Sequence, residues 1–219
     1  MSAPLFRLTG VTFAYDRQAP VLEAADFSLW PGETVALTGP NGAGKTTLFH
    51  LMAGMLRPGA GTIEAFGAVR RRERDFHAVR ARAGLLFQDS DDQLFCPTVA
   101  EDVAFGPLNL GKSPEQARRI AENTLESLGL AGFGGRVTHT LSGGQKRLAA
   151  LAAVLAMEPE VLLLDEPTNA LDAETQERLT AILAGLPQAK VIISHDDAFL
   201  RRLATRRVRL ERGRLSAEV

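Results

Sequence analysis

Apolar and polar residues alternate from Leu5 to Tyr15, with Leu5, Phe6, Leu8, Val11 and Phe13 at the apolar positions. That period of two predicts a half-buried strand. Ala24 to Trp30 repeats the pattern, and Pro31-Gly32 closes it with a turn signal. Both read as antiparallel strands leading into a third, the apolar run Thr34-Val35-Ala36-Leu37-Thr38. Period then changes: Leu48, Leu51, Met52 and Met55 share one face of a predicted helix. After a break at Arg57-Pro58-Gly59, Gly61 to Gly67 reads as a short strand between glycines. Gly84 to Phe87, Val161 to Leu164 and Lys190 to Ser194 are compact apolar runs, the mark of parallel strands buried on both faces. Val208 to Leu210, a turn at Arg212-Gly213 and Leu215 predict a closing hairpin.

Between these strands the pattern is helical. Thr98-Val99-Ala100-Glu101 has capping-box spacing and opens a short helix. Ser113-Pro114-Glu115-Gln116 opens another, with proline at its first position and Ala117, Ile120, Ala121, Thr124, Leu125 and Leu128 on one face; Gly129 stops it. An apolar helix from Leu148 to Met157 follows Leu141-Ser142-Gly143-Gly144-Gln145. Asp172 is placed to cap a helix carrying Leu179, Ile182, Leu183 and Leu186. The expected organisation is one domain over 1–219, with a helical subdomain inserted at about 98–157.

One stretch organises the rest. Gly39-Pro40-Asn41-Gly42-Ala43-Gly44-Lys45-Thr46-Thr47 lies between a predicted strand and a predicted helix, the context that turns G-x-x-x-x-G-K-T into a phosphate cradle. Glycines let backbone N–H groups curl around an anion, and the following helix adds its positive dipole end. Lys45 is placed for the β- and γ-phosphates and the Thr46 hydroxyl for Mg²⁺. The fold class expected is therefore α/β: a P-loop core with a mostly parallel sheet, an N-terminal antiparallel β subdomain and the inserted helices.

Asp165 and Glu166 end a buried strand, the edge where ligands sit in parallel sheets. Adjacent carboxylates there resist desolvation unless a cation is near. Asp165 is read as a Mg²⁺ ligand and Glu166 as the group that orients or deprotonates water. Gly143-Gly144 at a helix start is a second anion site or a plain serine-capped entry. His195 follows the last buried strand on the same edge as the carboxylates. Tyr15, the only tyrosine, stands at a strand end; composition favours simple exposure over base stacking. Arg70 to Arg74 reads as a solvated basic loop. Leu94, Phe95 and Cys96 sit in an apolar loop stopped by Pro97, which docks against a partner or tucks under its own domain; no base pattern marks Cys96 as a nucleophile.

Composition narrows the class. The 219 residues carry 25 basic and 26 acidic side chains, a net charge of −1, with 45% hydrophobic residues. Such balance argues against a mainly electrostatic nucleic-acid binder. A single cysteine fits a reducing compartment. The amino terminus lacks a signal-peptide pattern and no apolar stretch is long enough to span a bilayer, so another chain is expected to do any spanning.

The phosphate loop, Gln88 after a strand, Leu-Ser-Gly-Gly-Gln, Asp165-Glu166, Asp172 and His195 come in the order of ABC-type ATPases, which this chain resembles over nearly its whole length. The resemblance implies two domains sandwiching two ATP molecules head to tail, with Lys45 of one facing Ser142 and Gly144 of the other. It implies Glu166 as general base, His195 on the γ-phosphate, Gln88 sensing Mg²⁺ and water, Tyr15 stacking adenine, and Asp172 at the seam. Many such ATPases carry arginine at the position of Leu148; here Arg147 precedes it. Members of the cobalt group often run longer at the C-terminus than this chain does after Gly213.

A finer match runs from Phe87-Gln88-Asp89 through Asp91-Asp92-Gln93-Leu94-Phe95 and Pro97-Thr98-Val99 to Glu101-Asp102-Val103-Ala104-Phe105-Gly106-Pro107. It resembles energy-coupling-factor transporters, in particular the ATPase of cobalt and nickel uptake systems. The implied partners are a second copy or a paralogous ATPase, a transmembrane coupling subunit docking near exposed Leu94 and Phe95, and a substrate-binding membrane subunit. The implied location is peripheral, on the cytoplasmic face of the membrane. The competing readings are a vitamin importer such as one for biotin, a soluble ABC ATPase acting on nucleic acid or ribosomes, and a non-hydrolysing nucleotide-gated scaffold.

Overall fold

The computed structural model describes residues 3–16 and 19–218; Met1 and Ser2, which begin the amino terminus read as carrying no export signal, lie outside them. In chain order the strands and helices are β1 (Phe6–Phe13), β2 (Leu22–Leu29), β3 (Thr34–Thr38), α1 (Lys45–Met52), β4 (Ala60–Ala65), β5 (Ala68–Arg70), α2 (Glu73–Arg80), β6 (Ala83–Leu86), α3 (Val99–Asn109), α4 (Pro114–Ser127), α5 (Gly143–Leu155), β7 (Val161–Asp165), α6 (Ala173–Gly185), β8 (Ala189–Ile193), α7 (Asp197–Leu203), β9 (Arg206–Glu211) and β10 (Arg214–Glu218). They form two compact units, one of residues 1–85, 160–165 and 187–219, the other of 86–159 and 166–186.

The first unit holds two sheets. One is antiparallel, in the order β2-β1-β4-β5; the other runs β10-β9-β3-β8-β7-β6. In the second, β9, β3, β8 and β7 are parallel and β10 closes against β9 as an antiparallel hairpin. β1 buries Phe6, Leu8, Val11 and Phe13; a register shift between Leu8 and Val11 keeps the two alternating pairs on one face of the sheet. β7 and β8 are buried at every position, as continuous apolar runs require. Leu48, Phe49 and Met52 of α1 join side chains of both sheets in one core. Met55 departs from the predicted helical face: α1 ends before it and its side chain is exposed.

The basic run is not a loop. Arg70 ends β5 and donates from Nη2 to the Ala65 carbonyl at 2.9 Å, while Asp75 accepts from the N–H groups of Arg71 and Arg72 and so starts α2. The Arg70 guanidinium also reaches the Asp75 carbonyl, so one side chain ties the end of β4 to the first turn of α2. α7 is likewise absent from the sequence pattern; Asp196 caps it by accepting from the Phe199 N–H at 3.0 Å.

The second unit is helical. Capping boxes at Thr98 and Ser113 open α3 and α4 as the sequence predicts, though α3 runs eleven residues rather than forming a short helix. α5 begins at Gly143, the serine-capped entry ahead of the apolar run from Leu148, because the Ser142 hydroxyl accepts from the Gln145 N–H. No helix among the described residues is long and apolar enough to cross a membrane.

Candidate functional site

In the first unit, three neighbouring parallel strands deliver candidate residues to one sheet edge. Residues 39–44 leave the end of β3, Asp165 ends β7, and His195 stands two residues beyond β8; the register pairs Leu37 and Asp165 each with Ile193. The carboxyl edge of such strands is where open α/β sheets bind ligands.

The loop is shaped by backbone contacts. At Gly39, φ is +134°, and a Cβ would stand 2.1 Å from the Leu210 carbonyl oxygen of β9. Only glycine lets the loop lie on that strand. The Lys45 ammonium donates to the Gly39 and Pro40 carbonyls at 2.8 and 3.0 Å, so Gly39, Pro40, Asn41, Gly42, Ala43 and Gly44 curl around it. The Thr46 hydroxyl donates to Asp165 Oδ2 at 2.7 Å. A hydroxyl and a carboxylate side by side, with Asp165 buried, form an oxygen donor pair suited to Mg²⁺. A loop of glycines beside a lysine suits a triphosphate. Tyr15 Oη lies 3.1 Å from Thr47 Oγ1, and its half-exposed ring packs edge-on against Phe13 at 4.9 Å.

The second unit carries the other candidates. Glu166 has φ of +44°, a left-handed backbone rare outside glycine, and its carbonyl accepts from the Asn169 N–H at 3.1 Å. Strain of this kind costs roughly 1–3 kcal/mol and gathers at functional positions. Gln88 is exposed just past β6. Ser142 and Gln145 cap each other at the head of α5, with Gly143 exposed between them. A Cβ on Gly144 would meet Thr175 Cγ2 at 2.9 Å, so this glycine admits α6 at close range. Asp172 caps α6 by accepting from the Thr175 N–H at 2.8 Å and its hydroxyl at 3.0 Å, which holds its carboxyl below the usual aspartate range.

One feature escaped the sequence reading, and a second is only partly as expected. Arg147 is buried and donates to the Phe87 and Gln88 carbonyls. Its spacing with Leu151 and Val154, on one helical face, was the available signal. The second is an apolar surface. Leu94, expected to be exposed, is 8% exposed and tucks inward, whereas Phe95 is 64% exposed and meets Phe105 edge-on at 4.9 Å, with Leu108 and Leu110 also exposed. Asp102 causes the split: its Oδ1 accepts from the N–H groups of Phe95 and Cys96 and fixes the loop. Burial, then the Asp102 hydrogen bond, push the Cys96 thiol up to about 11, so it is a poor nucleophile at neutral pH.

Similarity to known proteins follows the same lines. The family model described as ABC transporter matches residues 22–169. The chain is 55% identical to a putative ABC transporter ATP-binding protein of Nitratidesulfovibrio vulgaris, over 92% of this chain and 74% of that one. It is 40% identical to an energy-coupling factor transporter ATP-binding protein EcfA of Methanothermobacter thermautotrophicus, over 98% and 70%. To a cobalt import ATP-binding protein CbiO of Rhodobacter capsulatus it is 43% identical, over 98% and 78%. Among solved structures, cbiO1 of Clostridium perfringens, part of the ABC transporter complex cbiONQ, superposes with a TM-score of 0.86 at 31% identity, covering 98% of this chain and 88% of that one. The cassette MJ0796, a dimer in a post-hydrolysis state bound to ADP and Pi, superposes with a TM-score of 0.88 at 25% identity, covering 98% and 97%. The fold is that of a P-loop NTPase cassette, and a match that runs from β2 past the Asp165-Glu166 pair makes this chain a member of the ABC transporter ATP-binding family, an ATPase.

Proposed function

We propose that this chain is the ATP-hydrolysing subunit of an energy-coupling-factor importer for cobalt or nickel ions. The observation that carries the ATPase half is the Thr46–Asp165 pair beside Lys45. Lys45 and the backbone N–H groups of 41–47 hold the β- and γ-phosphates, and Tyr15 stacks on the adenine. Thr46, Asp165 and Gln88 would hold Mg²⁺, which offsets charge on the transferred phosphoryl group. Glu166 accepts the proton of the attacking water, and His195 donates to a γ-phosphate oxygen. A second copy, or a paralogous ATPase, contributes Ser142, Gly143, Gly144 and Gln145, and Asp172 lies at the seam. ATP closes the pair because its phosphates engage both chains; hydrolysis releases them.

The importer half rests on the likeness to EcfA, CbiO and cbiO1, and on the exposed Phe95–Phe105 pair. An aromatic anchor of this kind suits a helix of a transmembrane coupling subunit. The chain then works on the cytoplasmic face of the membrane, and a separate membrane subunit selects the cargo.

Glu166→Gln tests the motor. Hydrolysis falls by about 10²- to 10⁴-fold, nucleotide affinity is kept, and ATP drives a dimer seen by light scattering. Full turnover in that variant overturns the base assignment. Reconstitution with the membrane subunits, followed by radiolabelled cobalt, nickel and biotin uptake, decides the cargo.

A further inference from the structure

We infer that Arg147 is a positioning residue for hydrolysis: it locks the Gln88 backbone to the head of α5, so that Gln88 and the Ser142–Gln145 segment move as one piece. The inference rests on the proposed roles of those two elements at the nucleotide. Its geometry lies within the second unit alone.

β6 ends at Leu86, so the carbonyls of Phe87 and Gln88 are the first beyond that strand. Arg147 Nη1 donates to the Phe87 carbonyl at 2.6 Å and Nη2 to the Gln88 carbonyl at 2.5 Å. One planar fork thus grips two consecutive peptides. A lysine, with a single nitrogen, has no such spacing. The residue is only 4% exposed, so its charge is out of water, and the two carbonyls help to compensate it. Neighbouring contacts hold the rest of the turn. Lys146 pairs with Asp91 at 2.5 Å, and Gln93 Oε1 accepts from the Phe87 N–H at 3.2 Å.

A slip of the Gln88 loop relative to α5 would strand buried donors, so the join resists sliding. Arg147 follows Gln145 by two residues, within the first turns of the helix that Ser142 caps. A displacement at Ser142–Gln145 therefore reaches Gln88 through rigid helix and two charge-assisted hydrogen bonds. Leu148, where many relatives by resemblance carry arginine, is buried and apolar here. The fork enters from the preceding position instead.

A double-mutant cycle separates this role from plain stabilisation. Arg147→Gln lowers kcat for ATP by roughly 10- to 100-fold, the worth of hydrogen bonds to a charged group, at unchanged KM. Arg147→Lys gives an intermediate loss. In a Gln88→Ala background the same change at 147 adds less than about threefold, because its effect passes through Gln88. A loss in that background as large as in the wild type overturns the inference. A second measurement needs neither activity nor the Gln substitution. In nucleotide-free protein, hydrogen exchange of amides 88–93 accelerates roughly tenfold in Arg147→Lys relative to wild type. Unchanged exchange there overturns the lock. If the wild-type chain hydrolyses no ATP, the proposed site roles fall, while the exchange result still decides the lock.

Discussion

The Thr46 hydroxyl donates to the Asp165 carboxylate at 2.7 Å, joining the first turn of α1 to the end of β7. Both atoms are hard oxygen donors, and hard oxygens are what Mg²⁺ selects. Asp165→Asn keeps the shape and removes the charge. ATPase activity falls by about 10- to 100-fold, and half-saturation moves to higher Mg²⁺, as expected for a disturbed metal shell. Rates measured across a Mg²⁺ titration check it; an unshifted titration removes Asp165 from the metal.

Gly39→Ala drives a methyl group into the Leu210 carbonyl, 2.1 Å away, at a φ of +134°. The loop must lift from β9 or the strand must give way. A loss of roughly 2–4 kcal/mol follows from strain plus backbone displacement. Gly42→Ala meets no atom within 4 Å and bears only its φ of +76°. Its cost is roughly 1–2 kcal/mol. Urea melts of both variants test the order.

Phe95→Glu places a charge on the exposed aromatic surface without touching the core. Stability and the isolated chain's ATPase rate stay near wild type. Affinity for the membrane subunits drops by at least about tenfold, as for a lost aromatic anchor. Equal recovery of partners in a detergent pull-down argues for docking elsewhere.

Cys96 offers a titration test. Burial first, then Asp102, push its thiol up to about 11 from 9.0. At pH 8, three units below, about one chain in a thousand carries the thiolate, and only the thiolate alkylates. Iodoacetamide labelling is slow at pH 8 and climbs about tenfold per pH unit toward 11. Because the folded value is raised, the fold favours the protonated thiol. The contribution is complete below pH 9 and is lost as pH rises through 11. Asp102→Asn speeds labelling at pH 8.

Local chemistry was legible wherever one short segment sets it. The caps Thr98, Ser113, Ser142 and Asp172 announce their helices, and the β7 and β8 runs announce a sheet covered on both faces. Spacing also picked out Thr46 and Asp165, which the fold brings into contact. What escaped depends on partners distant in sequence. Arg147 grips carbonyls about sixty residues earlier, and nothing local marks a charge on an apolar face as a clamp. Leu94 and Phe95 are adjacent and alike in hydropathy; Asp102 decides which turns inward. The Arg70–Arg74 run is solvated as its composition says, with 71–74 exposed, but composition hides that the Arg70 guanidinium bonds the backbone.

The strand that leads into the nucleotide loop, β3, is flanked by β8 on one side and β9 on the other, and the loop itself rests on Leu210. All three supports arrive in the last part of the chain to be synthesised. A growing polypeptide therefore carries a finished Gly39–Thr47 sequence long before that sequence has walls. One edge of β3 stays open until β8 has left the ribosome and the other until residue 211 has, an invitation to stray pairing that chaperones must cover. Nucleotide competence is thus acquired late and abruptly, and a truncation before β9 yields a chain with the full motif and no pocket to put it in.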